Sequence, residues 1–124
     1  MHALLASNRF ARPFLFYLDA HWQEHLPLRE EAQLAIGAFP KAVLVIDDFA
    51  VPEDPGYSFD DYGPGRRLDL AYLESAGLAP LFIFFPSTPS AQEGGARRGC
   101  VVVTADSGLA AVLDSIPLLR RWKS

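Results

Sequence analysis

Hydrophobic positions in this chain come in blocks rather than in alternation. Phe14-Leu15-Phe16-Tyr17-Leu18 is a continuous apolar run that stops at Asp19, and Ala42-Val43-Leu44-Val45-Ile46 is a second that stops at Asp47-Asp48. Runs without alternation read as strands covered on both faces, the habit of parallel sheets. Between them, Pro27 suits the first turn of a helix, and Leu28 to Phe39 places Leu28, Ala32, Leu34, Ala35, Ile36 and Phe39 among charged and polar residues. Acids at Glu30 and Glu31 favour the helix start. Strand, helix and strand make a right-handed βαβ unit with parallel strands.

The same reading covers the rest. Leu4 to Phe10 forms the last turns of a helix that Pro13 stops. Residues 50–66 are a long loop rich in Pro, Gly, Asp and Tyr, and loops of that length in a compact domain are commonly functional. Leu68 to Ser75 reads as a helix ended by Gly77, and Leu81 to Phe85 as a third strand closed by Pro86. A Ser/Pro/Gly-rich connection leads to a fourth strand at Val101 to Thr104. With no helix between them, these two strands form an antiparallel hairpin. Leu109 to Arg121 reads as a helix interrupted at Pro117. There is no internal repeat, and 124 residues fit one domain, 1–124.

Composition narrows the classes. Half of the residues are hydrophobic, enough for a packed core, and the formal net charge is −4. The arginine pairs 66-67, 97-98 and 120-121 are too scattered to track a phosphate backbone, so nucleic acid is not the expected partner. No apolar run approaches the ~20 residues of a membrane span. The one cysteine, Cys100, sits in an apolar strand as a small hydrophobe and suits a reducing cytoplasm. A cytoplasmic protein is the expectation.

The chemistry gathers where the strands end. In an open parallel sheet, ligands bind beyond the carboxyl ends of the strands. Asp19, Asp47 and Asp48 leave the sheet on that edge, from strands about 4.8 Å apart if they are neighbours. Three carboxylates without a nearby basic residue in sequence repel one another, and a hard divalent cation (Mg²⁺, Ca²⁺ or Mn²⁺) would relieve this. Against this stands the ordinary use of aspartate after strands, to start turns and cap helices. His21 offers a base, a ligand or a substrate contact, or is a surface histidine. Trp22, Tyr57, Phe59 and Tyr62 either wall a pocket or pack the loops down, and His2 and His25 read as solvent-facing.

Phe16-Tyr17-Leu18-Asp19-Ala20-His21-Trp22, Leu26-Pro27-Leu28-Arg29-Glu30-Glu31 and Val45-Ile46-Asp47-Asp48-Phe49 together resemble the second half of a class I S-adenosylmethionine-dependent methyltransferase, closest to the metal-dependent O-methyltransferases. The resemblance spans roughly residues 10 to 105. It implies an α/β, partial Rossmann-like methyltransferase sheet, with parallel strands, helical crossovers and a C-terminal antiparallel hairpin that ends in a reversed strand. It implies Asp19, Asp47 and Asp48 as ligands of Mg²⁺ or a similar divalent cation, and Asp19 or His21 as the catalytic base. Trp22, Tyr57 and Tyr62 would contact a small-molecule hydroxyl acceptor, with S-adenosylmethionine as methyl donor.

The Gly-rich loop and the ribose-binding acid of the family's cofactor half have no counterpart here. Gly63-Pro64-Gly65 follows a loop, and Gly94-Gly95 lies in the hairpin connection. The chain therefore looks like strands four to seven, and its first strand would be an open apolar edge. A partner chain or self-association would cover that edge, unless the chain is a truncated product. Two alternatives stand beside methyl transfer: a Mg²⁺-dependent hydrolase such as a phosphatase, using the same carboxylates, and a non-catalytic interaction module or remnant.

Overall fold

The computed structural model describes residues 13–18, 28–61, 63–64, 66–75, 77, 81–95 and 97–123. The two apolar runs are strands β1 (Phe14–Leu18) and β2 (Ala42–Asp47), joined through helix α1 (Leu28–Ala38). They are parallel neighbours, with Phe14 opposite Ala42 and Leu18 opposite Ile46. Helix α2 (Leu70–Glu74) is shorter than its apolar stretch suggests, because Asp69 caps it by accepting from the Tyr72 amide at 3.0 Å. Strand β3 (Phe82–Pro86) follows, then a single 3₁₀ turn (Ser90–Gln92) and β4 (Cys100–Thr104).

The closing segment departs from expectation. Instead of one interrupted helix, helix α3 (Ser107–Asp114) ends before Pro117, and a short strand β5 (Leu119–Arg121) returns along β3. Asp106 caps α3 by accepting from the Leu109 amide at 2.8 Å. Pro117 lacks the amide a continuing helix needs, which favours the turn into β5.

The fold is mixed α/β, an open five-stranded sheet in the order β1-β2-β4-β3-β5. Among the described strands only β1 and β2 pair in parallel; β4 runs against both β2 and β3, and β5 against β3. The expected hairpin of β3 and β4 is present, with Phe82 opposite Thr104. One face of the sheet packs Leu44, Ile46, Val101, Val103 and Phe85 against Ala32 and Ala35 of α1 and Leu73 of α2. The other packs Phe84 and Val102 against Ala110 and Leu113 of α3.

Strand β1 corrects one expectation. It forms an end of the sheet and alternates, with Phe14, Phe16 and Leu18 half-buried and Leu15 and Tyr17 70% and 59% exposed. The opposite end, β5, has three residues, two of them arginines.

Candidate functional site at the carboxyl edge

Of the residues singled out by sequence, Asp19, His21, Trp22 and Tyr62 lie outside the described residues. Asp47, Asp48 and Tyr57 lie within them. The two neighbouring acids part company at the end of β2. Asp47 is the last residue of the strand and shares the face of Val43 and Val45, opposite Cys100 of β4. Its Oδ2 accepts from the Tyr17 hydroxyl at 2.7 Å. Burial, with the Asp47 carboxylate a smaller cause, pushes the Cys100 thiol up and keeps it protonated.

Asp48 has already left the strand. Its φ of 56° is left-handed, a conformation that aspartate tolerates better than most residues. That turn delivers its carboxylate to Arg98, whose Nε lies 2.5 Å from Asp48 Oδ1 while its Nη2 lies 2.5 Å from Asp60 Oδ1. One guanidinium thus joins two carboxylates that come from opposite ends of a turn, and the Asp60 amide donates to the Asp48 carbonyl at 3.0 Å. The Asp48 bond, the largest cause, and the Asp60 bond hold the Arg98 proton even more firmly than usual against the opposing effect of desolvation.

The long loop is tied down at further points. The Ser58 amide donates to the Arg97 carbonyl, the Gly99 amide to the Ser58 carbonyl and the Phe49 amide to the Gly99 carbonyl, at 2.8, 2.8 and 3.0 Å. A side chain on Gly99 would collide with the Phe49 carbonyl. Tyr57 is buried in the main core, its hydroxyl donating to the Thr88 carbonyl at 2.5 Å. Burial pushes its phenol up, and its position is that of the packing alternative, holding the loop onto the hairpin connection. Asp54 accepts from the Ser90 amide at 2.8 Å and the Ser90 hydroxyl at 2.5 Å, and these bonds draw its carboxyl below the usual range.

Between the segments Val51–Asp54 and Pro86–Pro89 lies a cleft of about 370 Å³, with Arg120 on its wall and neither Asp47 nor Asp48 among its lining residues. Sequence reasoning missed the Asp48–Arg98–Asp60 clamp, the Asp54–Ser90 lock and this cleft. The only hint was the density of aspartates in residues 47–61, which asks for a cation.

At Asp48 one carboxylate oxygen, Oδ1, is in contact with a guanidinium nitrogen. Among the described residues, no group of three or more His, Cys, Asp or Glu side chains is arranged to hold a metal ion. No helix among them is long and apolar enough to cross a membrane. No family model matches the chain, and no curated protein or solved structure matches it.

Proposed function

We propose that this chain is the acceptor-binding half of an S-adenosylmethionine-dependent methyltransferase-like fold, acting on a small hydroxyl compound at the carboxyl edge of β1 and β2. The observation that carries the reading is the end of this parallel pair: β2 stops at an Asp47 carboxylate that is part-exposed beside the Tyr17 phenol. The reversal of β4 also agrees with what the resemblance implies. In this reading Asp47 accepts a hydrogen bond from the acceptor hydroxyl and orients it. A bound S-adenosylmethionine would supply the methyl group for the acceptor oxygen, with S-adenosylhomocysteine as leaving group and the hydroxyl proton going to a base at the edge. The donor site belongs to the half of the fold that this sequence does not resemble, so this reading assigns the residues described to acceptor binding. Asp48, whose Oδ1 is engaged by Arg98, is given no role in this step.

Chemical-shift mapping of the full chain with a diol such as catechol tests this. Expected are shifts centred on Tyr17, Asp47 and Cys100 that vanish in Asp47→Asn; shifts absent or confined to the Glu53–Arg120 cleft would overturn the reading.

A second reading, an interaction module, is favoured by β1. A five-residue uncharged strand at a sheet end, with Leu15 and Tyr17 exposed, invites pairing with another strand. In sedimentation velocity, a monomer at every concentration would argue against self-association as the form this takes.

A further inference from the structure

We infer that the cleft between the Val51–Asp54 turn and the Pro86–Pro89 segment is a binding site for a zwitterionic amino acid with an apolar side chain, its ammonium group on Glu53 and its carboxylate on Arg120. The site is separate from the carboxyl edge, and the inference does not rest on the methyl-transfer reading.

Glu53 stands where its backbone asks for a different residue. The Asp54 amide donates to the Val51 carbonyl at 3.2 Å, which closes a four-residue turn with Pro52 and Glu53 at its centre. Proline cannot take a positive φ, whereas Glu53 has a φ of 68°, so the turn is type II. Proline suits the second position of that turn and glycine the third. A glutamate at the third position gives up backbone ease and places a carboxylate on the cleft wall.

Arg120 brings the opposite charge to the same cleft. It lies opposite Phe85 in the β3–β5 ladder, and its guanidinium carbon is 5.8 Å from the centre of the Phe85 ring. Among the described residues, no hydrogen bond or ion pair engages the Glu53 or the Arg120 side chain. Asp54, the third charge on the wall, differs. It accepts from the Ser90 amide and hydroxyl and from the Gly56 amide, and so serves the loop.

The charges select the ligand. Two acids beside one base would oppose a simple anion, and a simple cation would meet Arg120. A molecule that bears both signs satisfies Glu53 and Arg120 together. Between these charges the lining is apolar, from Val51, Pro52, Pro86 and Pro89, and the volume of about 370 Å³ falls within the range of small-molecule sites. The far wall is held in place: the Ser87 hydroxyl and amide donate to the Pro117 and Leu118 carbonyls at 2.6 and 2.9 Å, and the Tyr57 hydroxyl donates to the Thr88 carbonyl. Little ordering therefore accompanies binding. Glu53 is exposed, which keeps the expected affinity modest.

Chemical-shift mapping of the full chain with L-phenylalanine is the test. Wild type is expected to show saturable shifts at the amides of Glu53, Asp54, Ser87, Thr88 and Arg120, with a dissociation constant on the order of 1 mM. N-acetyl-phenylalanine, which lacks the cation, and phenethylamine, which lacks the anion, are each expected to bind at least about fivefold more weakly. Glu53→Gly is expected to weaken L-phenylalanine by at least about fivefold while the urea midpoint holds or rises, because glycine suits the turn. Absence of saturable shifts in wild type would overturn the inference. So would either single-charge analogue binding as tightly as the amino acid, or Glu53→Gly binding it unchanged. Acceptor binding at Asp47 is read with a different probe at different residues, so the two readings stand or fall independently.

Discussion

Asp47 and Asp48 are adjacent in the chain and opposite in chemistry. Asp47 continues β2, stays on the face that carries Val43 and Val45, and accepts from a neutral phenol. Asp48 turns at φ 56° into the loop side and takes a full positive charge. A strand sends successive side chains to opposite faces, and a left-handed residue directly after it turns the second acid away. Two like charges that look like a pair in sequence therefore serve two different regions. One stands part-exposed at the end of its strand; the other closes a loop. The difference teaches that an acidic doublet at a strand end need not act as one ligand set.

The comparison breaks most visibly if its charged side is dismantled. Arg98→Ala removes the guanidinium that joins the two carboxylates of Asp48 and Asp60. Breaking a buried pair costs about 3–5 kcal/mol, and the exposure of Arg98 discounts this to about 2 kcal/mol, measurable as a shift of the urea midpoint. Asp48→Asn keeps a residue that tolerates the left-handed turn, so only the charge is lost. The expected cost is about 1 kcal/mol, reduced at high salt.

On the neutral side the effects are smaller. Tyr17→Phe removes one exposed hydrogen bond, and the midpoint is expected to move by less than about 0.5 kcal/mol. If Tyr17→Phe cost as much as Arg98→Ala, the proposed division between the two acids would be wrong.

The last effect is confined to acid. Asp54 has its folded-state pKa lowered, so its contribution is present above the unfolded value and fades as pH falls through the folded one. Wild type is expected to lose stability below about pH 4, the unfolded carboxylate range, and Ser90→Ala to lose less over the same interval. Guanidinium midpoints measured at pH 3 to 7 check the sign.

Much of the frame was legible from side-chain type. The apolar runs ending at Leu18 and Ile46 declared two strands, and the helical spacing of Ala32, Ala35 and Ile36 declared the crossover that makes them parallel. The hairpin followed from the absence of a helix between Phe85 and Val101. Strand β5 was hidden because Arg120 and Arg121 in a three-residue strand look like the frayed end of a helix; packing over Phe82, Phe84 and Phe85 gives their stems an apolar setting. The openness of one face of β1 was hidden too, since an uninterrupted apolar run does not say which of its residues is covered.

At the site, the edge was legible and its charge balance was not. The expectation of mutual repulsion among the acids rested on their having no basic neighbour in the chain. The counter-ion of Asp48 comes from fifty positions away, brought in by the hairpin connection and the bonds around Ser58. Sequence separation hides such a partner, because nothing in local pattern distinguishes Arg98 from Arg97 beside it. Arg97 itself turns at φ 55° and bonds the Glu93 carbonyl instead.

Gly99 gives that hidden partner a visible marker. Its lack of a side chain lets the Phe49 backbone come close enough to receive the hairpin connection, and any larger residue meets the Phe49 carbonyl. Arginine at the neighbouring position can be exchanged at the cost of the clamp alone, whereas a single methyl group at 99 forces the backbone apart. Anyone searching other sequences for the same clamp should therefore look first for a glycine following an arginine some fifty positions beyond an acidic doublet. The chemically silent residue is the more demanding requirement of the two.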